Sequence, residues 1–209
     1  MDPVDAAGPA LVLASTSRYR AELLRRLRLA FAQRAPDVDE SRHSGESPLA
    51  LALRLAEHKA RAVAAAFPQA WVIGSDQVCA VGDEALGKPG TVEAARTQLQ
   101  RLSGRAAVFH TAVCVVAPGG RHLLRNVPTE VEFRQLSAAE IASYVALDNP
   151  LDCAGSAKSE SLGPTLLRHM RSDDPTALVG LPLIALCDML RETGFDPLEQ
   201  AQRQARPAY

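Results

Sequence analysis

Four short clusters concentrate the side chains able to do chemistry. The first, LVLASTSRYRAELLRRLRL (residues 11–29), passes from an apolar run through Ser15, Thr16 and Ser17 to Arg18, Tyr19 and Arg20. A leucine-rich helical pattern follows. No glycine softens this corner, so it is neither a Walker loop nor a dinucleotide fingerprint. A helix start exposes unpaired N–H groups and the positive end of the helix dipole. With Ser15, Ser17 and Arg20 added, that start becomes a cradle suited to phosphate oxygens; the alternative is a plain helix cap.

The second cluster, Gly74-Ser75-Asp76-Gln77, puts a carboxylate directly after an apolar run. Open α/β sheets place ligands at such strand ends. Asp76 there either holds a divalent cation, takes a proton from water, or simply makes a turn. The third is Gly87-Lys88-Pro89, a lysine on a stiff turn that faces either phosphate or solvent. The fourth is Asp152-Cys153-Ala154-Gly155-Ser156-Ala157-Lys158-Ser159-Glu160. Its small residues let backbone approach a ligand, with Lys158 and Glu160 as polar ends, unless it is an ordinary polar loop. Singly, each cluster fits a structural role. Together, Arg20, Lys59, Lys88 and Lys158 supply cations while Glu40 and Asp76 supply carboxylates. Metal-assisted cleavage of a polyphosphate requires that mixture.

Short β-rich runs alternate with amphipathic helical ones, which predicts an α/β fold. Residues 10–14 read as a buried strand and 20–29 as a helix. Ser47 caps a long helix over 48–67 with proline in its first turn. Its apolar stripe comprises Leu49, Ala52, Leu53, Ala56, Ala60, Val63, Ala64 and Phe67, with Lys59 at the border. A lysine so placed buries its stem and sends its ammonium over the edge of the core. A strand over 71–74 ends in Ser75-Asp76-Gln77, and 91–102 is a helix stopped by Gly104. Strands over 108–117 and 122–133 meet at a Pro118-Gly119-Gly120 hairpin signal. Ser137 and Glu140 form a capping box opening a helix over 137–147. A last helix covers 183–193, before Gly194.

With 47% hydrophobic and 22% charged residues over 209, the chain is an ordinary globular protein, read as one domain with a core over 10–195. Residues 1–9 and 199–209 read as loose tails. A net charge of −1 gives no overall field for nucleic acid or an acidic membrane, so anion binding rests on local placement. Cys79, Cys114, Cys153 and Cys187 form no C-x-x-C pair, which argues against a zinc site or disulfide scaffold and for reduced thiols. No signal-peptide pattern or membrane-length apolar run is present, so a cytoplasmic location is expected.

In their order, these clusters resemble the Maf family of nucleoside triphosphate pyrophosphatases. The resemblance rests on LASTSRYRAELL, VDES, the lysine of AEHKA, GSDQV, GKPG, LSGR, CAG and LVGLP. It implies an elongated α/β fold, with two lobes around a long mixed sheet and a cleft between them, like that of inosine triphosphate pyrophosphatases. It also implies hydrolysis of a nucleoside triphosphate to the monophosphate and pyrophosphate, with Mg²⁺ or Mn²⁺, in a homodimer. By position, Asp76 is then the proton acceptor or a metal ligand with Glu40, and Ser15, Arg20, Lys59, Lys88 and Lys158 bind triphosphate. The family's Pro-Arg-Arg reads Arg18-Tyr19-Arg20 here, so Arg20 takes the arginine role.

One branch of the family takes dTTP and UTP, another 7-methyl-GTP. This chain resembles the second, which carries an aromatic at Tyr19, glutamine at Gln77 and glutamate at Glu160, within a run like CAGSAKSES. A methylated guanine is cationic, so stacking on an aromatic gains a cation–π attraction. A carboxylate at Glu160 is able to accept from both N1–H and N2–H of guanine. The rivals are the dTTP/UTP branch and a non-catalytic nucleotide-binding protein linked to septum formation. A nucleic-acid binder working through Arg18, Arg20, Arg25, Arg26 and Arg28 is a third, with little support from the near-neutral charge.

Overall fold

A computed structural model describes residues 10–205. Its centre is a seven-stranded mixed sheet: β1 (Leu11–Ala14), β2 (Ala32–Arg34), β3 (Trp71–Val81), β4 (Glu84–Leu86), β5 (Ala106–Val116), β6 (His122–Phe133) and β7 (Leu167–Ser172). The strand order is β2-β1-β3-β5-β6-β7, with β4 beside β3. β1 runs parallel to β2 and β3, and the remaining pairs are antiparallel. This is the α/β class expected.

All four residues of β1 are buried because helices cover both faces, which is why it reads as a continuous apolar run. On one face lie α1 (Arg18–Arg25) and α5 (Leu183–Glu192), packed on Leu11, Leu13, Ile73, Val113 and Val115. On the other lies α2 (Pro48–Ala64), packed on Val12, Val72, Cys114 and Val116. A further core joins α3 (Val92–Leu102) and α4 (Ala138–Asp148) to Cys79, Phe109, Val131 and Phe133 of the extended β3, β5 and β6. The anticipated caps are present. Ser47 accepts from the Ala50 N–H, and Ser137 and Glu140 form their reciprocal box.

Several expectations need correction. β3 does not stop at Gly74; it continues to Val81 because β5 pairs with it from Val72 to Ala80. Asp76 is therefore in mid-strand. Helix α1 begins at Arg18, two residues early, because the Ser17 side chain caps it by accepting from the Arg20 N–H. It ends at Arg25. The buried face of α2 centres on Leu51, Ala52, Leu55, Ala56, Lys59, Ala60 and Val63, whereas Leu49 is 38% exposed. Lys59 lies within the buried face and is only 4% exposed.

Residues 199–205 are not a loose tail. They belong to α6 (Pro197–Ala205), whose first turn is capped by Asp196 accepting from the Leu198 and Glu199 N–H groups. The tail readings for 1–9 and 206–209 lie outside the described residues. The short or edge strands β2, β4 and β7 carry no alternation strong enough to announce them, and β7 is mostly exposed. No described helix is long and apolar enough to cross a membrane.

Candidate active site

The site begins with a gap in the sheet. Along one edge of β3, residues 71–74 pair with β1 and residues 79–81 with β4. Among the described residues, Ser75, Asp76, Gln77 and Val78 have no strand neighbour on that side. Pleating then divides their side chains between the two faces. Asp76 points to the α2 side and meets Lys59, while Ser75 and Gln77 point to the α5 side and meet the loop over 177–180.

Gly74 makes the α2 side possible. A Cβ built there would lie 2.3 Å from the Ala56 carbonyl oxygen and 2.6 Å from the Ala60 nitrogen. Only glycine lets α2 lie this close, and Ala56 and Ala60 complete the contact with minimal side chains. The turn carrying Lys59 is thereby pressed against β3, and its ammonium emerges beside Asp76. Lys59 Nζ donates to Asp76 Oδ1 at 2.7 Å and lies 2.8 Å from Glu40 Oε1. One buried lysine thus joins two carboxylates from separate segments.

On the opposite wall, Arg20 donates through Nε to the Gly180 carbonyl at 2.9 Å. The Ser75 hydroxyl shares its hydrogen between the Ala112 carbonyl at 2.8 Å and that same Gly180 carbonyl at 3.0 Å. Asp174 organises this loop: its carboxylate accepts from the Thr176 N–H and hydroxyl and from the Ile184 N–H at the start of α5. Ser15 is buried and its hydroxyl accepts from the Ser17 N–H.

These groups line a cavity of about 430 Å³, a size ordinary for a small-molecule site. Its walls include Ser15, Arg20, Glu40, Lys59, Asp76 and Lys88, and also Tyr19, Gln77, Asp152 and Glu160. Charge coupling identifies the first group as one cluster. Burial pulls the Glu40 carboxyl upward, but Lys59, Lys88 and Arg20 outweigh it and leave it below its ordinary value. Burial also lowers the Arg20 pKa, against the opposing pull of Asp76 and Glu40. At the second group, burial pushes the Tyr19 phenol up to about 12.

Gln77 is constrained further. Its Nε2 lies 2.9 Å from Thr111 Oγ1 and 3.0 Å from the carbonyls of both Ala177 and Leu178. Three oxygens around the nitrogen settle the amide orientation, so the Gln77 group left for a ligand is an acceptor.

Every site residue expected from sequence lines this cavity except Lys158. Lys158 is a correction: its Nζ donates to the carbonyls of Asp148 and Asn149 at 2.7 and 3.0 Å, at the end of α4. It anchors the segment that presents Glu160 to the end of α4. Arg18 and Asp152 also line the cavity; sequence reasoning placed no role on Asp152. The loop-holding role of Ser75 leaves no spacing signal because Gly180 is 105 residues away, and that of Asp174 rests on its reach to Ile184 and Ala185 at the start of α5 as well as on the local contact to Thr176.

Among the described residues, no cluster of three or more His, Cys, Asp or Glu side chains forms a self-contained metal cage. Glu40 and Asp76 still suit a hard divalent cation, since Mg²⁺ commonly takes one or two carboxylates with substrate phosphates and water.

A cation-rich cavity with paired carboxylates, set in a gap of a mixed sheet, defines an α/β protein whose site has the charge pattern that suits an anionic small molecule. The chain belongs to the Maf family: the family model described as Maf-like protein matches residues 10–193. It is 60% identical over 186 residues to the 7-methyl-GTP pyrophosphatase of Aromatoleum aromaticum, covering 88% of this chain and 96% of the relative. It is 56% identical over 187 residues to the protein of the same name from Xanthomonas campestris pv. campestris (strain 8004), covering 90% and 97%. Among solved structures, the Staphylococcus aureus Ham1 protein is similar at 19% identity and a TM-score of 0.44, covering 60% of this chain and 72% of that one.

Proposed function

We propose that this chain hydrolyses 7-methyl-GTP to 7-methyl-GMP and pyrophosphate. The observation that carries the reading is the Glu40–Lys59–Asp76 cluster at the gap in the sheet, with Arg20 and Lys88 on the same cavity. Fixed cations beside carboxylates are what phosphoanhydride cleavage needs, because charge grows on phosphate oxygens as pyrophosphate leaves. Names shared by relatives at 52–60% identity support the choice of nucleotide.

In this reading Ser15, Arg20, Lys59 and Lys88 bind and orient the triphosphate. Asp76 takes the proton from the attacking water at the α-phosphorus. Its Oδ1 is held by Lys59, which fixes the carboxylate, and the proton goes to Oδ2. Glu40 and Asp76 would hold a Mg²⁺ or Mn²⁺ ion, which supplies charge neutralisation at the phosphates. The base lies at the other end, where Tyr19 offers a ring for stacking. Gln77 and Glu160 offer only acceptors, matching the N1–H and N2–H donors of guanine and leaving a pyrimidine poorly satisfied.

A homodimer and a cytoplasmic location belong to the same proposal. They rest on the family resemblance and on four free thiols, which suit a reducing compartment. Pyrophosphate release across a panel of 7-methyl-GTP, GTP, dTTP and UTP, with Mg²⁺ or Mn²⁺, tests the function. Size-exclusion chromatography with light scattering tests the assembly.

A further inference from the structure

Asp152 is the meeting point of four side chains on the cavity wall: Arg18, Tyr19, Lys158 and the neighbouring Cys153, whose thiol donates to Oδ1 at 3.5 Å. Tyr19 donates its phenolic hydrogen to Asp152 Oδ1 at 3.3 Å, across 133 residues of sequence. Arg18 Nη2 donates to that phenol oxygen at 2.7 Å and lies 3.9 Å from Asp152 Oδ2. Behind the carboxylate stands Lys158 Nζ, 4.0 Å from Oδ1 and itself pinned to the end of α4. An oriented chain therefore runs Arg18 to Tyr19 to Asp152, joining the start of α1 to the loop before Glu160. Both ends of that chain lie on the cavity wall.

A tyrosine ring free to rotate about χ1 and χ2 makes a poor stacking platform, since each binding event must order it. A phenol that accepts on one side and donates on the other has its position set before the base arrives. The bland alternative for Asp152 is a solvated turn carboxylate. Convergence of a phenol and two cations on it argues otherwise.

We infer that Asp152 is a positioning residue for base selection: its carboxylate locks the Tyr19 ring, through the phenol hydrogen bond, in the orientation on which the base stacks. This rests on the nucleotide-hydrolysis reading above but not on which base is preferred. The lock is a hydrogen bond, so an uncharged acceptor of the same shape preserves it.

The test measures kcat/KM for 7-methyl-GTP, GTP, dTTP and UTP, with inhibition by inorganic tripolyphosphate as a base-free reference, for the wild type, Asp152→Ala, Asp152→Asn, Tyr19→Phe and the Asp152→Ala/Tyr19→Phe double variant. The expected result is that Asp152→Ala and Tyr19→Phe each narrow the spread among bases by about tenfold, the scale of one well-placed aromatic contact. The double variant narrows it no further, Asp152→Asn keeps the wild-type spread, and tripolyphosphate inhibition is unchanged in Asp152→Ala and Asp152→Asn. A wild-type spread in Asp152→Ala overturns the inference, as does loss in Asp152→Asn equal to that in Asp152→Ala. Should Asp152→Ala fail to fold, Tyr19→Phe probes the same hydrogen bond from its other end, and an unchanged spread there overturns it equally. A wild type led by another base, with the spread still narrowed in Asp152→Ala, overturns the choice of 7-methyl-GTP and upholds the lock.

Discussion

Lys59 Nζ lies 2.7 Å from Asp76 Oδ1, joining the middle of a helix to the middle of a strand at a point where both are buried. An isolated buried ammonium would be costly; this one also meets Glu40 at 2.8 Å, so its charge is shared between two carboxylates. The cluster presents fixed charge to the cavity without reorganisation at the moment of reaction.

Asp76→Asn keeps an oxygen for Lys59 but removes the proton acceptor. Turnover should fall by about 10²- to 10⁴-fold, the range for a general base, while circular dichroism shows a folded protein. Wild-type turnover would remove Asp76 from the chemistry.

Gly74→Ala should act through geometry. Its Cβ would meet the Ala56 oxygen at 2.3 Å, so α2 must move and carry Lys59 with it. Overpacking of this kind costs about 1–3 kcal/mol, and each kcal/mol lowers Tm by about 2–4 °C in a domain of this size. Calorimetry should show that fall together with reduced kcat/KM. An unchanged Tm would mean α2 does not lie as close as described.

Glu46 supplies a pH-dependent test. Its carboxylate grips Arg54 through both oxygens, at 2.6 and 2.8 Å, and Arg54 also holds the Ser41 carbonyl next to Glu40. The Arg54 hydrogen bonds pull the Glu46 pKa down from 4.5 to about 2. A depressed carboxylate pKa contributes stability that is complete above the unfolded value of 4.5 and is lost as pH falls toward about 2. The Tm gap between wild type and Glu46→Gln should therefore be constant from pH 5 to 8, on the order of a few degrees, and shrink below pH 4.5. A gap that widens on acidification would contradict the clasp.

Much of this was legible in the chain because it is local. Ser47 before Pro48, Ser137 before Glu140, and glycines after the hairpin and helices report caps and turns within a few residues. The site residues were visible as types in short clusters. Their convergence was not, because it depends on a sheet gap left where β1 ends at Ala14, opposite Gly74, and β4 ends at Leu86, opposite Cys79. Lys59 was misplaced at the stripe's border because helical periodicity assumes that a lysine avoids the core. Its partners come from other elements. Lys158 misled for the converse reason: a cation in a polar loop resembles a phosphate ligand until the end of α4 is seen to occupy it.

Selectivity should separate from catalysis. Glu160→Ala removes an exposed acceptor at the base end and leaves the Lys59 cluster intact. The preference for 7-methyl-GTP over GTP, dTTP and UTP should fall by about 10-fold or more, with tripolyphosphate inhibition unchanged. Equal losses for every nucleotide and for tripolyphosphate would place Glu160 in the phosphate machinery instead.

The central claim is tested most directly by steady-state pyrophosphate release with a divalent metal, comparing kcat/KM for 7-methyl-GTP, GTP, dTTP and UTP on the unmodified chain. The account predicts that 7-methyl-GTP leads the panel by about 10-fold or more, the scale set by a site whose Gln77 and Glu160 acceptors match guanine donors and whose ring favours a cationic base. A panel led by dTTP or UTP, or no turnover of any nucleotide, would contradict it.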